Sequence, residues 1–240
     1  MLTSTLDAIR KQYDPTWKAL SPRSIDEYEK TREDFQITLG YFHDLLEILP
    51  PPRDILELAC GSGIAAVELA RLGYRVTGLD CSSEALNVAR TLEQHAGVKV
   101  LWIQDDMRYF KLDEPVDYIL LWDVVFGIFA SPQEDFKVLE RISNALHTGG
   151  RCLFQFYNKA FATQHGIEDR YFYVPAEDVF ILDEVTHDLP VRRIKLYSDS
   201  EWQSMLLESS MKIVRFTTSK LLDDPETEPS RVNYLVAEKI

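Results

Sequence analysis

Apolar residues along the chain fall into short blocks that switch between two periods. Residues 55–59, 75–80, 98–104, 116–122 and 151–157 are largely apolar runs, the pattern of strands buried on both faces of a parallel sheet. Between them, residues 64–72 and 83–95 carry apolar positions at helical spacing, the first run stopped by Gly73. Ser131, Pro132 and Glu134 supply an N-cap, a first-turn proline and a capping glutamate for a further crossover helix, which Gly149 and Gly150 are expected to end. Strand, helix, strand in repetition predicts a doubly wound α/β fold. Ahead of it, residues 24–49 read as one long helix. Ser24 and Glu27 form a capping box, Tyr28, Phe35, Phe42, Leu45, Leu46 and Leu49 keep near-helical spacing, and Pro50, Pro51 and Pro52 stop the run.

After residue 157 the rhythm changes. Segments such as "DRYFYV", "FILDEVTHDL" and "VRRIKLY" alternate at period two without intervening helices, which predicts antiparallel strands inserted over the sheet as a lid. The α/β pattern returns with a helix near 201–209 and strands at 212–217 and 232–239, separated by the polar loop "DDPETEPS". These last two strands are expected to pair as an antiparallel hairpin at the sheet edge. The expected architecture is therefore one domain over 1–240 with a seven-stranded, mostly parallel sheet. Residues 1–52 form its N-terminal helical cap and residues 158–197 the lid insertion.

Composition narrows the partners. The 240 residues hold 26 Lys plus Arg against 39 Asp plus Glu, a net charge of −13, so a phosphate backbone is repelled and nucleic acid is not an expected partner. The N-terminus has no signal-peptide apolar core, and no apolar stretch approaches the ~20 residues that span a bilayer. A cytoplasmic protein is expected. Cys60, Cys81 and Cys152 lie in or beside apolar strands without CxxC spacing and read as reduced packing residues.

Candidate chemistry concentrates at "ILELACGSGIAA", residues 55–66. In an open α/β sheet ligands bind beyond the carboxyl ends of the strands, and the turn after the first strand lies there. Glycine allows close backbone approach and positive φ, and the following helix offers unpaired N–H groups. Alone, "GSGIAA" also fits a dinucleotide fingerprint, GxGxxA, and Asp80, closing the second strand, suits the ribose diol of either NAD or another adenosine cofactor. Glu57 is the less expected residue, because a charge inside a buried strand requires a partner: a cationic cofactor, or a nearby lysine or arginine. In "QDDMR" after the third strand, Asp106 can accept an adenine amino group while Met107 packs on the ring or fills the core.

Taken in order, "ELACGSG", Asp80, "DDM" and the Gly-Gly of "LHTGGRCLFQF" resemble the signature of the class I S-adenosylmethionine-dependent methyltransferases, over roughly residues 54–157 with a weaker echo after 198. The resemblance implies a Rossmann-like fold and S-adenosyl-L-methionine as cofactor. The implied binding set is Glu57, Ala59, Gly61, Gly63, Asp80, Cys81, Asp105, Asp106, Met107 and Trp122. Methyl transfer from a sulfonium is an in-line displacement in which positioning and exclusion of water dominate and no catalytic side chain is obligatory. The candidates for an acceptor-side base or contact are Asp123, Tyr13 and His165, with His187 in the same lid; Tyr13 and Trp17 of "QYDPTW" resemble an aromatic segment that closes over the cofactor in small-molecule members.

The acceptor is read by subtraction. "WDVV" stands where nucleic-acid members carry a Pro-Pro-Tyr motif. Asp123 and Asn158 resemble two ligands of metal-dependent catechol enzymes, but Tyr157 replaces an adjacent acid, so no metal is expected. "DMR" and "VFGIF" look like small-molecule enzymes acting on amines, including sugar amines. Tyr171, Tyr173 and Tyr197 in an acidic protein suit a cationic acceptor. The expectation is methyl transfer to a small molecule, an amine nitrogen ahead of a hydroxyl. An O-methyltransferase, a catalytically silent cofactor-binding protein and an NAD(P)-binding oxidoreductase are the alternatives.

Overall fold

In the computed structural model, which describes residues 25–123, 125–166, 171–182, 192–218 and 232–240, the elements follow in this order. Helix α1 (Ile25–Leu46) precedes β1 (Asp54–Leu58), α2 (Ile64–Arg71), β2 (Arg75–Asp80), α3 (Ser83–Ala96), β3 (Val100–Gln104) and β4 (Val116–Leu121). Then come α4 (Pro132–Ala145), β5 (Leu146–Tyr157), α5 (Lys159–His165), β6 (Tyr171–Val174), β7 (Val179–Leu182), β8 (Arg192–Ile194), α6 (Asp199–Glu208), β9 (Met211–Thr218) and β10 (Val232–Lys239). The seven-stranded sheet has the order β3-β2-β1-β4-β5-β10-β9, and β6-β7-β8 form a separate sheet. The chain divides between Leu120 and Leu121 into two compact units.

In the first unit β1 runs parallel to β2 on one side and to β4 on the other, with Glu57 opposite both Gly78 and Leu120. Strands β1 and β4 are nearly all buried apolar residues, as continuous apolar runs require, whereas β3, at the sheet edge, holds no buried residue. Helix α1 buries Tyr28, Phe35, Leu39, Phe42, Leu45 and Leu46. Its tie to α2 is Glu68, 3% exposed, which accepts from the Tyr28 hydroxyl and from Arg32 Nε at 3.2 Å and Gln36 Nε2 at 3.1 Å. The helix ends at Leu46 rather than Leu49 because Glu47 turns left-handed (φ 51°). Ile48 N–H then closes on the His43 carbonyl at 3.1 Å, a left-handed helix stop, and Ile48 takes the buried place expected of Leu49.

In the second unit β10 pairs antiparallel with both β5 and β9, so the expected hairpin forms. Its later strand lies inside, against β5, and β9 takes the edge. Strand β5 begins at Leu146, five residues before the expected start. The C-cap at Leu146 is already extended (φ −89°, ψ 146°) and buried, so Gly149 and Gly150 lie within a strand rather than at a helix stop. The inserted segment holds the expected antiparallel strands, but α5 precedes them where the period-two pattern predicts no helix. Asn158 starts that helix, its side chain accepting from Phe161 N–H at 3.2 Å. Phe126, Phe154, Phe156 and Trp202 stack with ring centroids 4.6 to 5.9 Å apart and fill the core beneath α6.

Candidate functional site

Three residues of the turn after β1 take positive φ: Ala59 (54°), Gly61 (53°) and Gly63 (71°). For Ala59 this is a costly conformation, and a carboxylate braces the turn that contains it. Asp80, at the end of β2, accepts from Gly61 N–H through one oxygen at 2.8 Å and from Ser82 N–H through the other at 2.8 Å. It thereby fixes the β1 and β2 turns to each other. Its own carbonyl accepts from Asp105 N–H at 3.2 Å, which brings the turn after β3 to the same place.

Glu57 is 1% exposed, and its Oε2 accepts from Ala66 N–H at 2.8 Å. Helix α2 has glycine at its N-cap, no side-chain cap and no acidic residue in its first turn. Glu57 supplies from the neighbouring strand the negative charge that a helix N-terminus favours. The partner its burial demands is therefore found in backbone N–H.

The glycines divide their work. A Cβ added at Gly63 would fall 2.3 Å from the ring of Trp102, and one at Gly78 would fall 2.4 Å from the same ring. Trp102, opposite Gly78 across β2 and β3, fills the space both glycines clear, and its Nε1 donates to Glu93 Oε2 at 2.8 Å. Gly63 thus serves close packing of helix on sheet, and sequence reasoning misses its partner. The available signal is a glycine in a strand opposite a tryptophan.

After β3, Asp105 Oδ1 accepts from Asp106 N–H at 2.8 Å. Asp106, 4% exposed, is engaged by Arg108, which donates backbone N–H to Oδ1 at 2.9 Å and Nη2 to Oδ2 at 2.7 Å. This buried pair shapes the turn, and Met107 within it is buried. Cys81 is half-buried, and its carbonyl accepts from Gln104 Nε2 at 3.3 Å. Burial, with the charge of Glu57 next, raises the Cys60 thiol far above the usual range, in keeping with a packing role.

In the second unit, Trp122 is half-buried and Asp123 exposed. Asp123 is left-handed (φ 61°), and its N–H donates to Gln155 Oε1 at 2.6 Å. Desolvation by the surrounding protein raises the pKa of its carboxyl to about 6. His165 ends α5 exposed, with its ring 4.7 Å from that of Phe161. Tyr173 and Tyr197 spend their hydroxyls on Asp178 at 2.9 Å and on Asp135 at 2.6 Å, and Tyr197 is only 4% exposed. Tyr197 is thus a core residue and presents no face to an acceptor. Tyr13, Trp17 and His187 lie outside the described residues, as does the side chain of Tyr171. Among the described residues no group of three or more His, Cys, Asp or Glu could hold a metal ion, and no helix is long and apolar enough to cross a membrane.

Residues 55–150 match the family model for a methyltransferase domain. A ubiquinone biosynthesis O-methyltransferase of Proteus mirabilis is 29% identical over 109 residues, which are 45% of this chain and 43% of that protein; the chain thus matches less than half the length of such relatives. An S-adenosylmethionine-dependent methyltransferase of Clostridium acetobutylicum superposes with a TM-score of 0.64 at 15% identity, over 97% of this chain and 98% of that one. A glycopeptide N-methyltransferase solved with S-adenosylmethionine superposes with a TM-score of 0.61 at 16% identity, over 84% and 92% of the two chains.

Proposed function

We propose, from a chain whose residues 55–150 match a methyltransferase domain, that this protein transfers a methyl group from S-adenosylmethionine to a small-molecule acceptor, an amine nitrogen ahead of a hydroxyl. The observation that carries the reading is the turn after β1, held in positive φ by Asp80 and aligned with α2 by Glu57. The donor set fits the cofactor: Asp80 brings carboxylate oxygens for a ribose diol, Ala59 and Gly61 bring backbone for its amino-acid end, and Met107 brings an apolar surface for the base. Cys81, Asp105 and Trp122 complete the contacts in this reading, whereas Glu57, Gly63 and Asp106 act through the turns they hold. When bound, the cofactor supplies an electrophilic methyl carbon on a positively charged sulfur. The whole chain acts as one methyltransferase domain, with residues 1–52 as a helical cap and the β6-β7-β8 insertion within 158–197 as a lid on the acceptor side. A cytoplasmic location and a small-molecule partner, with neither nucleic acid nor membrane, follow from the acidic charge and the apolar pattern.

Asp123 is the acceptor-side base. Asp123 follows the carboxyl end of β4, and ligands of an open α/β sheet bind beyond the carboxyl ends of its strands. A carboxyl with pKa about 6 is ionised at neutral pH and can take the proton of a bound ammonium or hydroxyl. The sign is that of a base: kcat/KM should fall about tenfold per unit below pH 6 and flatten above it. Asp123→Asn should remove that limb, and a limb unchanged in this variant would assign the base elsewhere.

The test is titration calorimetry with S-adenosylmethionine, S-adenosylhomocysteine and NADH, followed by aliphatic amines, sugar amines and catechols as acceptors, with product read by mass spectrometry. Binding of the first two and a methylated amine are expected. Methylation of the catechols alone would establish the O-methyl reading, which the curated relatives favour. Binding without product would indicate a silent binding protein, and binding of NADH alone would overturn the cofactor.

A further inference from the structure

We propose that Gln155 and Tyr234 are positioning residues that hold Asp123 in its reactive conformation. The inference rests on the reading of Asp123 as the acceptor-side base. Asp123 is a non-glycine residue at φ 61°, and such a conformation persists only where surrounding structure imposes it. What engages its backbone is Gln155 Oε1, 2.6 Å from Asp123 N–H. On the far side of the same amide, Gln155 Nε2 donates to the Tyr234 hydroxyl at 3.0 Å.

The direction of this chain is fixed by chemistry. A backbone N–H can only donate, so the amide oxygen must face Asp123 and the amide nitrogen must face Tyr234. Asp123 N–H therefore sets which way round Gln155 sits, and the Tyr234 hydroxyl, accepting from Nε2, holds the amide in that place. Both supports belong to rigid elements. They stand opposite each other across the antiparallel pair of β5 and β10, and they are 5% and 2% exposed. Gln155 also interrupts the apolar run "CLFQF", where a side-chain amide is costly to bury unless both ends are paired. The contact uses the backbone N–H of Asp123 and not its carboxyl, as positioning of a proton acceptor requires. Desolvation by the surrounding protein raises the pKa of that carboxyl.

The test compares Gln155→Leu, Gln155→Glu and Tyr234→Phe in the full chain. Two readouts are used: steady-state kinetics on an acceptor turned over in the panel above, and the Asp123 carboxyl titration by carbon NMR, assigned against Asp123→Asn. Gln155→Leu preserves volume but removes the acceptor, so kcat should drop tenfold or more with KM for S-adenosylmethionine unchanged, and the carboxyl should titrate nearer the ordinary range. Gln155→Glu keeps an acceptor for Asp123 N–H, so kcat should recover at high pH, while its charge moves the carboxyl titration and the acid limb upward. A merely structural role would move neither titration. Tyr234→Phe, a single lost hydroxyl, keeps the test valid if Gln155→Leu does not fold, and should lower kcat severalfold. Wild-type kcat and titration in Tyr234→Phe and Gln155→Leu would overturn the positioning inference. Wild-type activity in Asp123→Asn would instead overturn the base itself, whatever Gln155 does.

Discussion

Replacing Asp80 by alanine is expected to weaken binding of S-adenosylhomocysteine by about a hundredfold or more while leaving the secondary structure in place. Two effects add. The carboxylate accepts from Gly61 and Ser82 N–H, both at 2.8 Å, and each bond to a charged acceptor contributes about 1.5–3 kcal/mol. Their loss frees a turn that contains Ala59 at φ 54°, and an alanine released from such restraint relaxes towards ordinary φ. The proposed acceptor for the ribose diol is removed at the same time. Asp80→Asn keeps one oxygen and loses the charge, so it should fall between alanine and wild type. Calorimetry measures both affinities and circular dichroism checks the fold. An affinity within threefold of wild type in Asp80→Ala would mean that the turn serves the sheet alone.

Gly127→Ala should have the largest effect on stability. A Cβ there would fall 2.0 Å from the carbonyl oxygen of Lys195, at φ +94°. Lys195 also donates its N–H to the Gly127 carbonyl at 2.9 Å, so the obstacle is a backbone segment that cannot swing aside as a side chain can. Strained φ and overpacking together should cost at least about 3 kcal/mol, a fall in Tm of roughly 10 °C for a chain of this size. The control is Gly97→Ala: φ is also positive, +67°, but nothing lies within 4 Å, and the expected cost is about 1 kcal/mol. Equal melting temperatures for the two variants would refute the steric argument.

Much of the fold is legible in the amino-acid sequence, because the strands of the parallel sheet announce themselves as apolar runs and their helices as capped amphipathic segments. The order of Glu57, the glycine turn, Asp80 and the turn after β3 marks the segments that the hydrogen bonds of Asp80 draw together. What spacing does not convey is the partner of each individual group. Gly63 reads as space for a ligand, and Trp102 occupies it. Asp106 reads as facing adenine, and Arg108, two residues on, takes its carboxylate. Each of these pairings depends on which rotamer packing selects. Gln155 is a different kind of miss. The reasoning that singles out Glu57, a polar group inside a buried strand, applies equally to "LFQF" and is enough to find it. The start of β5 is misplaced because two glycines signal a helix stop and an extended bend alike.

The placement of β10 between β5 and β9 has a consequence for the chain as it is made. Strand β5, carrying the buried Leu153, Phe154 and Phe156, receives this partner only once everything from Asn158 to Val232 has been synthesised, several seconds at about 5–20 residues per second. Throughout that interval a nascent chain displays an unpaired edge beside aromatic side chains, which is the template for association with another copy. Slow translation over that stretch is therefore expected to act on the yield of folded protein and to leave each finished molecule unchanged.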